Sequence, residues 1–229
     1  MRPRRRVSYH GARTFPGDRR LTLHPRVALF TVIGAVVAAA PAPLDAHFTL
    51  LAPTSWIVES ERGDPQKAAP CGADPKAEAS GEISKVTGGS TLHLKVLETV
   101  YHPGHYRVAL AVNSRDELPP DPMTVERTTE KGPRSVWAAI QSPPQLPVIA
   151  DGLFQHYTRP ASPQTYEADV LLPNISCPKC TLQVIQFMAE HAYNQPGGYS
   201  YHHCADLQIT ADPAKPIDKG WGSTATVQN

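Results

Sequence analysis

The 229-residue sequence is poor in methionine, with three in all. Only Met123 and Met188 lie beyond the first residue, which excludes a methionine-rich site for a soft metal ion. It has no apolar run long enough to cross a bilayer. The longest, Val27–Ala40, has 14 residues, against the ~20 that a spanning helix takes. It lacks internal repeats, and its larger aromatics (Trp56, Tyr101, Tyr106, Tyr157, Tyr193) are scattered, so no planar aromatic row is legible. What it has instead is proline. The 24 prolines, between short apolar runs, exclude a helical bundle and point to strands joined by turns.

The first 46 residues differ from the rest. Residues 1–26 hold eight arginines and one acid, Asp18. The apolar run follows, then Pro41, Pro43 and small residues up to Ala46. A basic segment, a short apolar segment and a small residue make a secretion signal cut after Ala46. The Arg19-Arg20 pair is compatible with twin-arginine export. Retained as an anchor, the segment would leave His47 with an amide in place of a free amine. The expected layout is a removed signal at 1–46, a β-sandwich domain at 47–212 and an irregular tail at 213–229, secreted or periplasmic and monomeric. Cleavage removes 8 of 22 basic and 2 of 21 acidic residues, leaving a net charge of −5. An acidic domain is not built for nucleic acid or anionic lipid, and no membrane contact is expected after cleavage.

Strand signals run along the remainder. Phe48 opens a short strand stopped at Pro53. Residues 59–78 form a long polar loop. In 90–100, Leu92, Leu94 and Val96 alternate with His93, Lys95 and Leu97, which predicts a half-buried strand. Residues 106–112, 166–172, 180–188 and 204–210 read as further strands, and 135–140 and 147–149 as short ones. Residues 113–134 and 190–199 read as loops. The pattern predicts an all-β, antiparallel sandwich of immunoglobulin-like or fibronectin-III-like type with long loops.

Eight histidines follow the seam: His47, His93, His102, His105, His156, His191, His202 and His203. A free N-terminal His47 would offer two nitrogens, amine and imidazole, to one metal ion. In Tyr101-His102-Pro103-Gly104-His105-Tyr106, a strand ends and a Pro-Gly turn reverses the chain. A histidine at that tip can face the N-terminus. Three nitrogens in one plane suit Cu(II). His93 falls on the polar face of its strand, and His156 reads as a solvated loop residue.

Four segments, in order, resemble the lytic polysaccharide monooxygenase family: the His47 start; His102-Pro103-Gly104-His105-Tyr106; Cys177-Pro178-Lys179-Cys180-Thr181-Leu182-Gln183; and Tyr201-His202-His203-Cys204-Ala205-Asp206-Leu207. The resemblance implies one copper ion held by the His47 amine and ring and by His102, with His105 the weaker candidate. It implies Tyr201 as the axial aromatic and a polar neighbour that steers the oxidant. Gln186 fits that place because it shares strand parity with Leu182 and Val184; His191 and Tyr199 are the alternatives. His202 and His203 would contact oxidant or substrate, or lie at the surface. The implied partners are a polysaccharide such as chitin or cellulose, an external electron donor, and O2 or hydrogen peroxide.

Export favours disulfides among the four cysteines over a zinc site. Cys71–Cys204 would pin the long loop to the last strand, and Cys177–Cys180 would close a tight turn, although spacing leaves other pairings open. Two other functions fit the same residues. One is an exported copper carrier without turnover; the other is a carbohydrate-binding module without metal.

Overall fold

The computed structural model describes residues 47–73, 76–196 and 198–221. The expected signal segment and residues 222–229 lie outside them. Ten strands follow in order: β1 (His47–Ala52), β2 (Ile83–Thr87), β3 (Thr91–Val100), β4 (Gly104–Ala111), β5 (Thr124–Thr129), β6 (Gly132–Ala138), β7 (Val148–His156), β8 (Gln164–Leu171), β9 (Cys177–Met188) and β10 (Ser200–Thr210). A three-stranded sheet, β1-β3-β8, faces a five-stranded sheet, β2-β10-β9-β4-β7, and β5 and β6 form a separate ribbon. The fold is the expected all-β sandwich.

Strict alternation builds the core. In β3, Leu92, Leu94, Val96 and Glu98 point inward, and the residues between them point out. Opposite them stand Tyr106, Val108 and Leu110 of β4, Leu182 and Val184 of β9, and Tyr201, Ala205 and Leu207 of β10. Every residue of β4 is buried, as are all those of β9 from Cys180 onward. The outer faces of these two strands are covered as well. One patch there packs Cys71, Ala109, Ala111, Leu118 and Cys204, and another packs Ala138, Phe187, Ala189 and Tyr199.

Both expected disulfides are present. Cys71–Cys204 ties the 53–82 connection to β10, and Cys177–Cys180 closes the start of β9. Trp56 adds to the first tie, its backbone N–H donating to the Cys204 carbonyl and its indole to that of Cys71.

Three expectations need correction. Residues 113–134 are not all loop, because β5 and the start of β6 lie there. The ribbon is charged and mostly exposed, so it carries no apolar alternation to read. The strand expected at 147–149 runs on to His156, past a left-handed Phe154. β2 went unread, and it pairs with β10 in parallel, so the five-stranded sheet is mixed. The tail is irregular but anchored over its described part: the Asn174 side-chain amide donates to the carbonyls of Asp212, Lys215 and Pro216, and Trp221 packs on the core. Among the described residues no helix is long and apolar enough to cross a membrane.

Candidate metal centre

β1 is an edge strand, and side chains satisfy its free edge. The Phe48 N–H donates to Gln66 Oε1 at 3.1 Å, and the Leu50 N–H to Glu59 Oε2 at 3.1 Å. His203 Nε2 donates to the Phe48 carbonyl at 2.9 Å, while its Nδ1 lies 2.9 Å from Glu59 Oε1. The long 59–78 loop thus clamps the strand that begins with His47. The His47 carbonyl accepts from Thr99 Oγ1, and its ring Nε2 lies 3.2 Å from Asp64 Oδ2. A carboxylate on Nε2 orients the ring.

Register brings the second histidine alongside. His47 pairs with Val100, and His102 stands two residues further on. The turn after Val100 lies close against β9: the Pro103 carbonyl accepts from Ala189 N at 2.7 Å, and a Cβ on Gly104 would stand 1.9 Å from the Phe187 carbonyl oxygen. Only glycine permits that approach. Across the five-stranded sheet, Tyr106, Gln186 and Tyr201 are cross-strand neighbours, all on the inward face.

The result is a chain of buried rings. His47 and Tyr201 meet edge to face at 5.5 Å between centroids, Tyr201 and His191 at 6.4 Å, and His191 and His102 at 4.7 Å. His102 is 7 % exposed, and its Nδ1 is buried without a hydrogen-bond partner. Burial, followed by the neighbouring His191, lowers its pKa to about 3. The ring is therefore neutral at physiological pH and holds a lone pair, which a metal ligand must have. Of the sequence candidates, the structure brings His47, His102, Tyr201, Gln186 and His191 together.

It places the others elsewhere. His105 lies on the outer face of β4, against Phe187 and 3.9 Å from Asp151. His202 is also on the outer side, with Nε2 at 2.7 Å from Asp121. Both are buried, as is His203, so the surface alternative for the His202-His203 pair does not hold. His203 acts as the β1 clamp. Tyr199 packs in the outer patch, where burial and the nearby Glu126 raise its pKa to about 12. His156, read as solvated, is instead drawn into the interior.

Glu98 went unread. It is 1 % exposed, and its Oε1 accepts from the His102 backbone N–H at 3.1 Å, His156 Nε2 at 3.0 Å and Gln186 Nε2 at 2.6 Å. Burial opposes charge on His156, but its hydrogen bonds to Glu98 and to the Phe154 carbonyl raise its pKa. The signal for Glu98 was in the sequence: it continues the inward row Leu92, Leu94, Val96, as Gln186 continues Leu182 and Val184.

Among the described residues no group of three or more His, Cys, Asp or Glu side chains is arranged to hold a metal. A brace needs two imidazoles and an amine, and His102, with its orphaned neutral nitrogen, fits that demand. No protein-family model and no curated protein matches this sequence.

Proposed function

We propose that the protein is an exported copper protein with an N-terminal histidine brace, acting as a polysaccharide monooxygenase. One observation carries the reading: a neutral, buried His102 with an unpartnered ring nitrogen, in the ring cluster that begins at His47. The two disulfides and the basic-apolar leader fit an oxidising compartment. Removal of residues 1–46 would free the His47 amine. Copper, when bound, supplies one-electron redox chemistry and activation of O2 or hydrogen peroxide at a glycosidic carbon. The chain's own residues hold it. His47 and His102 provide nitrogens, Asp64 orients the His47 ring, Tyr201 covers one side of that ring, and Gln186 presents an amide from the sheet floor.

A second reading, a copper carrier without turnover, is favoured by His191, whose ring lies 4.7 Å from that of His102. A third imidazole would close a position that catalysis needs open. The test uses protein beginning at His47, with copper, a reductant and a panel of polysaccharides, read by mass spectrometry for oxidised oligosaccharides. Copper binding that collapses when one alanine precedes His47, together with oxidised products, supports the monooxygenase. Tight binding without products supports the carrier, and binding indifferent to His102→Ala removes both.

A further inference from the structure

We propose that Glu98 is the positioning residue of this site, fixing the His102 turn and the Gln186 side chain through one carboxylate oxygen; the inference rests on the copper reading above. Three donors converge on Oε1 from three separate pieces of chain: the turn after β3 and the C-terminal ends of β7 and β9. β7 and β9 flank β4 here, and the turn runs into it. β3 belongs to one sheet, and β7 and β9 to the other. Glu98 therefore joins the two sheets beneath the ring cluster.

Its position argues against a packing role. The residues before it in the inward row, Leu92, Leu94 and Val96, are apolar and belong to the core. A fourth apolar residue would continue that core at no desolvation cost. A carboxylate here is stabilised only because the donors meet it, and removing it would strand three buried N–H groups. Because a carboxylate only accepts, the Gln186 amide nitrogen must face it, and the Gln186 oxygen is turned away. The orientation of Gln186 is thus set by Glu98. The His102 main chain is held one residue before Pro103, whose own carbonyl is tied to Ala189. With both anchors in place, the tip carrying the imidazole has little freedom to move.

The experiment compares Glu98→Gln, Glu98→Ala and Leu94→Ala in protein beginning at His47. Leu94→Ala removes buried volume from the same inward row without touching the site. Copper(II) electron paramagnetic resonance and competition titration are the first readout. The expected result is a changed copper spectrum and a loss of affinity of roughly 10- to 100-fold in both Glu98 variants, with an unchanged spectrum in Leu94→Ala. A wild-type spectrum and affinity in Glu98→Gln overturn the proposal. The second readout needs no metal: amide hydrogen exchange at His102 and the Gln186 side-chain resonances in nitrogen-15-labelled protein. Faster exchange and displaced Gln186 signals are expected in Glu98→Gln, beyond those of Leu94→Ala. Failure of the wild-type chain to bind copper would remove the copper reading alone. The positioning role would then be decided by the exchange data, and equal exchange in Glu98→Gln and Leu94→Ala overturns it.

Discussion

The outer histidines His202 and His105 and the inner His102 differ in what they face, although the inner His47, His156 and His203 also have carboxylates near them. On the outer side each imidazole has a carboxylate near it: His202 meets Asp121 at 2.7 Å, and His105 has Asp151 at 3.9 Å. On the inner side, at the end of the sandwich, His102 faces another imidazole, that of His191. A histidine beside a carboxylate can serve as a tie between segments. Burial and the neighbouring ring together keep His102 neutral, with its lone pair retained. Histidine content alone says little about metal binding; the partner of each ring decides it.

The largest effect expected from breaking this contrast is on copper. His102→Asn should weaken Cu(II) binding at least ~100-fold, since even outer-shell losses cost 10- to 100-fold, whereas His105→Asn should leave it within about twofold. Competition titration on protein starting at His47 reads both. Acid stability comes next. The His102 pKa is depressed, so the unfolded chain binds the proton more readily than the folded one. Stability of the metal-free protein is therefore full above about pH 6.5 and falls as the pH drops toward 3. The loss attributable to His102 is on the order of 3 kcal/mol after relaxation of the buried site. Urea unfolding across that range should show the slope, and His102→Asn should flatten it. His156 carries the opposite sign. Its raised pKa stabilises the fold below about pH 6.5, and that contribution is lost as the pH rises through its folded value.

On the outer side, His202→Asn should cost about 1–3 kcal/mol by leaving its buried surroundings unsatisfied, with the copper spectrum unchanged. A spectrum that moved would join the two groups and defeat the comparison. Smallest is His93→Ala. Its ring sits on the exposed face between Glu167 and Asp169, each 3.3 Å away, and such surface pairs contribute less than about 1 kcal/mol. Thermal unfolding should barely register it.

Legibility followed locality. The β3 alternation, the β4 and β9 apolar runs and the turn at His102-Pro103-Gly104 could be read directly, because period-two burial and a glycine at a close approach are local demands. Glu98 could have been read too, had its inward row been followed two residues past Val96. β10 begins at Ser200, four residues before the strand expected there, because the Tyr201-His202-His203 run looks polar in isolation. It becomes a buried strand only when Asp121 and Glu59 arrive to meet its histidines. β5 escaped notice for the opposite reason, since neither of its faces is consistently apolar.

By itself the sequence determined the all-β class, the cysteines available for two disulfides and the turn that carries His102. Those follow from side-chain alternation and turn chemistry within a few residues. Only the tertiary structure decided which histidines face carboxylates and which face one another. His202 and Asp121 lie 81 positions apart, and Glu98 and Gln186 lie 88 apart. The protonation of a buried ring depends on desolvation and on partners brought from such distances, and no local pattern encodes either.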